Sequence, residues 1–296
     1  MGIAPMMLNL AIGNSVQWIF RTWVRAFGKP VRSADEAWID GPVGSPERIG
    51  AEFYEGLAKD INAECAKNEV NSGLMEDFNK LASTSFNPEA IDPRIKDFYE
   101  RTANYRLEVW SQWSWLFQPF ARLLVHFVSR RIQQLNLPVS PLDTSRGMTS
   151  EIIRLKDKDT GERLYTCWLR KVIHTGDVIY AGFYSTSKPP RYSGECVKVV
   201  FPLPRGSATV VLKPIARKDG SLELSSAGEG FGDPGYYRIL QVEGRCRKIR
   251  YIRAMKERIH VYVDKQGTLR TDHEFSFWKI RMLTLHYRID GLKREP

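Results

Sequence analysis

From residue 150 onward, apolar and polar side chains alternate with a period of two, and turn residues break the alternation at short intervals. The pattern predicts strands over 151–157, 163–173, 177–187, 195–202, 207–217, 221–226, 235–243, 246–254, 257–264 and 268–289. The breaks carry hairpin chemistry: Asp159-Thr160-Gly161, Thr175-Gly176-Asp177, Arg205-Gly206, Lys218-Asp219-Gly220, Glu243-Gly244 and Lys265-Gln266-Gly267. No helix-length pattern interrupts them, which excludes parallel crossovers. The last run is long enough to bend or split. Its apolar set shifts to Trp278, Ile280 and Met282 around Lys279 and Arg281, as a bulge or bend would require.

Before residue 136 the spacing is three and four. Leu8, Ile12, Val16, Ile19, Trp23 and Phe27 form one stripe of an amphipathic helix over 6–27. That helix either packs on the body of the protein or lies in a membrane interface, with Trp18, Trp23 and arginines as anchors. Ser45-Pro46-Glu47 reads as a cap followed by proline at the first helical position, opening a helix to about Ala66. A shorter helix is expected over 74–82. Another starts at Asp92-Pro93 and continues to Val109, and a last one covers 119–135. Trp110, Trp113, Trp115, Phe117 and Phe120 make an aromatic cluster, read as helix packing or as an apolar surface for a ligand or lipid.

The expected fold is therefore α+β. Residues 1–136 form a helical region, 137–149 a linker marked by Pro138, Pro141 and Gly147, and 150–296 an antiparallel meander β-barrel of about ten strands. The sheet is expected to close into this barrel, or else to fold into two packed layers, because a flat sheet would leave long unpaired edges. The architecture, and nothing in the residues, resembles that of the lipocalins, whose barrels enclose a ligand.

Charge sharpens this picture. The 296 residues carry 44 Lys/Arg and 34 Asp/Glu, a net +10, and residues 150–296 hold +11 against −1 for 1–149. A basic sheet draws anionic partners: phospholipid headgroups, carboxylate or phosphate ligands, or nucleic acid. Nucleic acid is disfavoured, because the aromatic residues are not interleaved as in an RNA-binding sheet. Cys65, Cys167, Cys196 and Cys246 form no CxxC pair and sit beside no histidine at metal spacing, so no metal site is expected. Their scatter fits reduced thiols and a cytoplasmic protein, membrane-associated if residues 1–28 meet an anionic surface. No secretory signal is read at the start, where the first basic residue is Arg21, and Met6 stands where a myristoylation motif needs Ser or Thr.

Candidate chemistry lies on the strands. Leu269, Thr271, His273, Phe275 and Phe277 share one face, so His273 is expected to point inward as an acid–base group, as a metal or haem ligand, or as a satisfied core histidine. Arg258, His260 and Tyr262 share a polar row on the strand before it, either a cavity lining or the solvent face. Tyr180 and Tyr184 flank Gly182, which leaves room between two phenols. With Trp168 and Tyr287 they complete the expected ligand-binding set, alongside Phe275, Phe277 and Arg258. The glycines at 228, 230 and 232 lack the Lys-Ser/Thr of a phosphate loop and read as a flexible loop at the barrel mouth.

The chain holds no G-x-S-x-G, HExxH or dinucleotide fingerprint, which disfavours hydrolases of the α/β class, zincins and nicotinamide enzymes. No cofactor is expected. The leading expectation is a carrier holding a hydrophobic or amphipathic anionic molecule in a barrel cavity. The alternative is a cyclase, isomerase or hydrolase using His273 as acid–base residue, assisted by Tyr262 and His260, in the same cavity.

Overall fold

The structure, a computed structural model, describes residues 15, 18–19, 21–140, 147–242 and 246–292. Its main feature is an antiparallel sheet of 14 strands. Three come from the first half of the chain: β1 (Lys29–Arg32), β2 (Ala63–Lys67) and β3 (Tyr105–Trp113). The others are β4 (Met148–Asp157), β5 (Arg163–Val172), β6 (Val178–Ser187), β7 (Cys196–Leu203), β8 (Gly206–Ala216) and β9 (Leu222–Ser225). They continue with β10 (Gly235–Gln241), β11 (Cys246–Tyr251), β12 (Met255–Val263), β13 (Leu269–Phe277) and β14 (Ile280–Gly291). The long run expected over 268–289 is thus two strands. A two-residue turn, Trp278-Lys279, joins them, and a register shift at Phe275/Ser276 supplies a bulge.

Pairing runs β2-β4-β5-β6-β7-β8-β9-β12-β13-β14-β3. The sheet forks at β8, where Lys213–Ala216 pairs with β9 and Gly206–Val211 with β10. The second arm continues through β11 to β1. The expected closed barrel is therefore corrected to an open, curled sheet: β2 and β3 end it without pairing, and β10 and β11 leave the ring for the side arm. Curling is strong nonetheless. The guanidinium carbon of Arg170 on β5 lies 5.3 Å from the ring of Tyr287 on β14, seven strands along the path.

The region expected to be helical is mixed. Helix α1 (Phe53–Asp60) is shorter than expected, because Gly50 and Asn62 both adopt positive φ and the chain then extends into β2. A 3-10 turn, Phe78–Leu81, replaces the short helix and is capped by Asp77. Helix α2 (Pro93–Glu100) starts where expected, with the Asp92 side chain accepting from the Arg94 amide. It stops early. The spacing Tyr105–Val109 that suggested more helix is also an even spacing, and Tyr105, Leu107, Val109, Ser111 and Trp113 share one face of β3. The chain is helical again from α3 (Gln118–Leu124) through a π turn to α4 (Arg130–Ile132), ending at Gln133 in the left-handed region.

Leu8, Ile12 and Val16 of the 6–27 stripe lie outside the described residues; residues 21–27 are helical and dock on β11. Val24 is buried there, Lys248 and Arg250 donate to the carbonyls of Arg25 and Phe27, and Arg250 lies over the Trp23 ring. Basic groups on the last carbonyls of a helix are favourable.

Three apolar clusters hold the fold. The largest fills the concave side of the sheet, including Ile152, Val199, Val210, Leu224, Val261 and Leu285, and is closed by Phe78, Ile95 and Phe98. On the convex side α1 covers β4–β6 through Tyr54, Ala58, Leu155, Leu169 and Phe183, and Ile39 covers β8 and β10 near Tyr237.

Candidate functional site

The concave side is apolar except for one polar cluster, and strand parity puts it there. On β5, Thr166, Trp168 and Arg170 face inward while Cys167 and Leu169 face α1. Register sets Trp168 opposite Gly182 and Arg170 opposite Tyr180 on β6. The indole meets Tyr180 and Tyr184 edge-on, each at 5.8 Å, and its Nε1 donates to Ser150 Oγ at 2.8 Å. The space above Gly182 is taken: a side chain there would meet Phe201, Tyr184 and Val199 at 3.2–3.3 Å.

Arg170 is 1% exposed, among the most deeply buried large side chains of the protein. Its guanidinium lies over the rings of Trp168, Tyr180 and Tyr287 at 5.4, 6.0 and 5.3 Å. The guanidinium meets the phenols of Tyr180 and Tyr287, but among the described residues no carboxylate lies within ion-pair distance, and Nε and Nη2 have no hydrogen-bond partner. A charge so placed is costly unless a partner arrives, because low-dielectric surroundings replace its hydration.

From the other wall comes Glu257 of β12, which shares the inward face with Ile259 and Val261 and sits 2.6 Å from His273 Nε2 through Oε1. Oε2 is buried without a partner among the described residues. His273 in turn lies against Phe275, ring centroids 4.2 Å apart. Burial pushes the phenols of Tyr180, Tyr184, Tyr236 and Tyr287 above their ordinary range, Arg170 opposing the effect at Tyr180 and Tyr287. All four are neutral hydroxyls at physiological pH. Tyr180, Tyr184, Tyr236, Phe201, His273 and Phe275 keep accessible surface although they belong to or pack against the concave core. These six side chains are thus only partly buried, while Trp168, Arg170 and Glu257 beside them are buried.

The opposite, convex side of β9, β12, β13 and β14 is polar. Arg258 pairs there with Glu274 and Glu223. His260 Nε2 lies 2.9 Å from Ser221 Oγ, whose hydroxyl donates to Asp219 at 2.6 Å, and the imidazole stacks on Tyr262. A depression of about 370 Å³ opens beside them, between Asp92, Arg94, Asp219 and Asp264. Burial, aided by Arg217, lowers the His260 pKa from its ordinary value. This is not a nucleophilic triad: the serine stands between the aspartate and the histidine, so the imidazole is not the group that the carboxylate orients.

Six of the residues singled out from sequence thus meet on the concave side: Trp168, Tyr180, Tyr184, His273, Phe275 and Tyr287. Arg258, His260 and Tyr262 lie on the convex side, as their alternation against Ile259 and Val261 allowed, and Phe277 lies at the exposed end of β13. The glycine loop before Asp233 is held by that carboxylate, which accepts from the amides of Glu229 and Gly230 at 2.9 and 3.0 Å. Sequence reading passed over Arg170 and Glu257. Their signal was parity: each is a charged residue in register with apolar neighbours two positions away, Trp168 and Ile259. The described residues hold no group of three or more metal-type ligands.

The chain is 31% identical to a protein named "Uncharacterized membrane protein YndJ" from Bacillus subtilis (strain 168), over 298 aligned positions covering 95% of this chain and 50% of that protein. It thus spans about half the length of the curated relative it matches. No family model matches the chain. No solved structure matches it. No helix among the described residues is long and apolar enough to cross a membrane.

Proposed function

We propose that the protein binds an amphipathic anionic small molecule, lipid-like in character, on the concave side of its sheet. The observation that carries this reading is Arg170, a buried cation with two idle donors set among aromatic rings. An incoming carboxylate or phosphate would supply the missing acceptor, and the Trp168, Tyr180, Tyr184 and Phe201 rings would take the apolar part. The relative's name calls that protein a membrane protein, which suits a carrier that collects its cargo at a bilayer.

Native mass spectrometry of the purified chain, followed by titration with a fluorescent fatty acid, tests the reading. The wild type should bind one equivalent. Arg170→Met should weaken binding by about 10–150-fold, the worth of a charge-assisted hydrogen bond of about 1.5–3 kcal/mol. Its melting temperature should hold or rise, because an unpaired buried charge has been removed. Unchanged binding with a lower melting temperature would make Arg170 structural and end the proposal.

A second reading is favoured by the Glu257–His273 contact. With Nε2–H donated to Glu257, Nδ1 remains free to accept a proton from a bound substrate, as in an isomerase, cyclase or hydrolase. His273→Phe should then keep binding and abolish turnover; a carrier would show binding and no turnover in either protein.

A further inference from the structure

We propose that one end of the sheet is a docking surface for a bilayer rich in anionic phospholipid. Two segments build it. One is the β13–β14 turn, where Trp278 and Ile280 are 66% and 51% exposed. The other is the start of the 114–132 segment, where Trp115, Leu116, Phe120 and Leu123 are 84%, 54%, 63% and 56% exposed. They are neighbours: the Ser114 amide donates to the Met282 carbonyl at 3.0 Å, extending the β3–β14 pairing to the foot of the turn. Exposed apolar side chains of this size, gathered at one place, mark an interaction surface.

Charge selects the occupant. The sequence has no Asp or Glu from residue 109 to 142, nor from 275 to 289. Arg122, Lys279 and Arg281 are exposed within the patch and, with Arg253 beside the turn, make no ion pair among the described residues. Cations interleaved with tryptophans, leucines and a phenylalanine suit a lipid interface, where long basic stems lie along apolar surface and their heads meet phosphates. A protein partner would favour few lysines at the centre of such a patch.

The turn itself gives independent support. Trp278 and Lys279 both adopt positive φ, 49° and 68°. A two-residue hairpin of this kind ordinarily uses Asn-Gly, since large side chains are strained there. Here that strained turn presents an exposed indole and an exposed ammonium between β13 and β14. The inward row of β13 runs from His273 through Phe275 to Phe277 and ends at the same place, so a surface docked there stands at one end of the concave face. The inference does not depend on a ligand in that face.

The test is co-sedimentation of the full chain with phosphatidylcholine vesicles, with and without phosphatidylserine. Wild type should sediment with the serine-lipid vesicles, less with phosphatidylcholine alone, and less again as salt rises. Trp278→Ser/Ile280→Ser should weaken vesicle binding at least about tenfold, as a small-residue replacement of two membrane-facing apolar groups. Lys279→Glu/Arg281→Glu, which alters only exposed charge, should do the same with an unchanged melting temperature and decides the matter if the first variant unfolds. Wild type remaining in the supernatant with both vesicles overturns the proposal. So does charge reversal without effect on sedimentation, or variants that shift only the oligomeric state by size-exclusion, which would assign the patch to a second copy of the chain.

Discussion

Cys167 and Cys196 are wholly buried, whereas Cys65 and Cys246 are exposed. Burial also pushes the Cys196 thiol up to about 12. Since the thiolate is the reactive form, a disulfide reagent should titrate two thiols in the native protein and four in denaturant. Three or four fast-reacting thiols would contradict the packing of β5 and β7. His260 gives a pH-dependent counterpart. Its folded pKa is depressed, so as pH falls through about 6.5 the unfolded chain takes up the proton before the folded one does. Its contribution to stability is therefore present at neutral pH and declines on acidification, until the lower folded pKa is passed. Urea midpoints between pH 7.5 and 5.5 should fall more steeply for the wild type than for His260→Gln; parallel profiles would show that the imidazole is not desolvated.

At the scale of elements, the Trp278-Lys279 turn is a constrained connection, with two adjacent non-glycine residues at positive φ. Replacing it by Asn-Gly should stabilise the protein by about 1–2 kcal/mol, because two left-handed residues become conformationally easy. Thermal or urea unfolding measures this, and a loss of stability would mean that the indole packs on the fold. Elements were legible where periodicity was unambiguous. Every predicted strand after residue 150 overlaps an observed strand, with ends displaced by up to three residues in β4 and β11, since period two combined with hairpin residues admits little else. In the first half, spacings of four suited helix and strand alike, and only tertiary pairing decides that Tyr105–Trp113 lies beside β14. Local sequence also hid the end of α1 at Asn62, where a non-glycine residue takes positive φ. The inward placement of His273 followed from alternation alone, as did the shared face of Tyr180 and Tyr184. Arg170 and Glu257 were missed because charge suggests solvent, and only their neighbours' parity says otherwise.

For the whole molecule, pairing across the expected linker is decisive. β1, β2 and β3 precede it, yet pair with β11, β4 and β14. Residues 147–292 expressed alone would bare the edges of β4 and β14 and lose Phe78, Ile95 and Phe98 from the core. That fragment should aggregate or show no cooperative melting, whereas the full chain should unfold in one transition. A soluble fragment with a sharp transition would show that the sheet stands without its first three strands. Closure was not legible, because nothing in the alternation of Thr209 and Val211 announces that β8 pairs with three strands, β7, β9 and β10.

The pairing of β3 with β14 also sets an order of events on the ribosome. β3 leaves the exit tunnel early, but its partner begins at Ile280. At about 5–20 residues per second, the strand waits roughly 10–30 s for a hydrogen-bonding neighbour. During that interval Leu107, Val109 and Trp113 have no β14 to cover them, which makes the nascent chain a client for holding chaperones and makes premature termination near the end of the message a source of insoluble product.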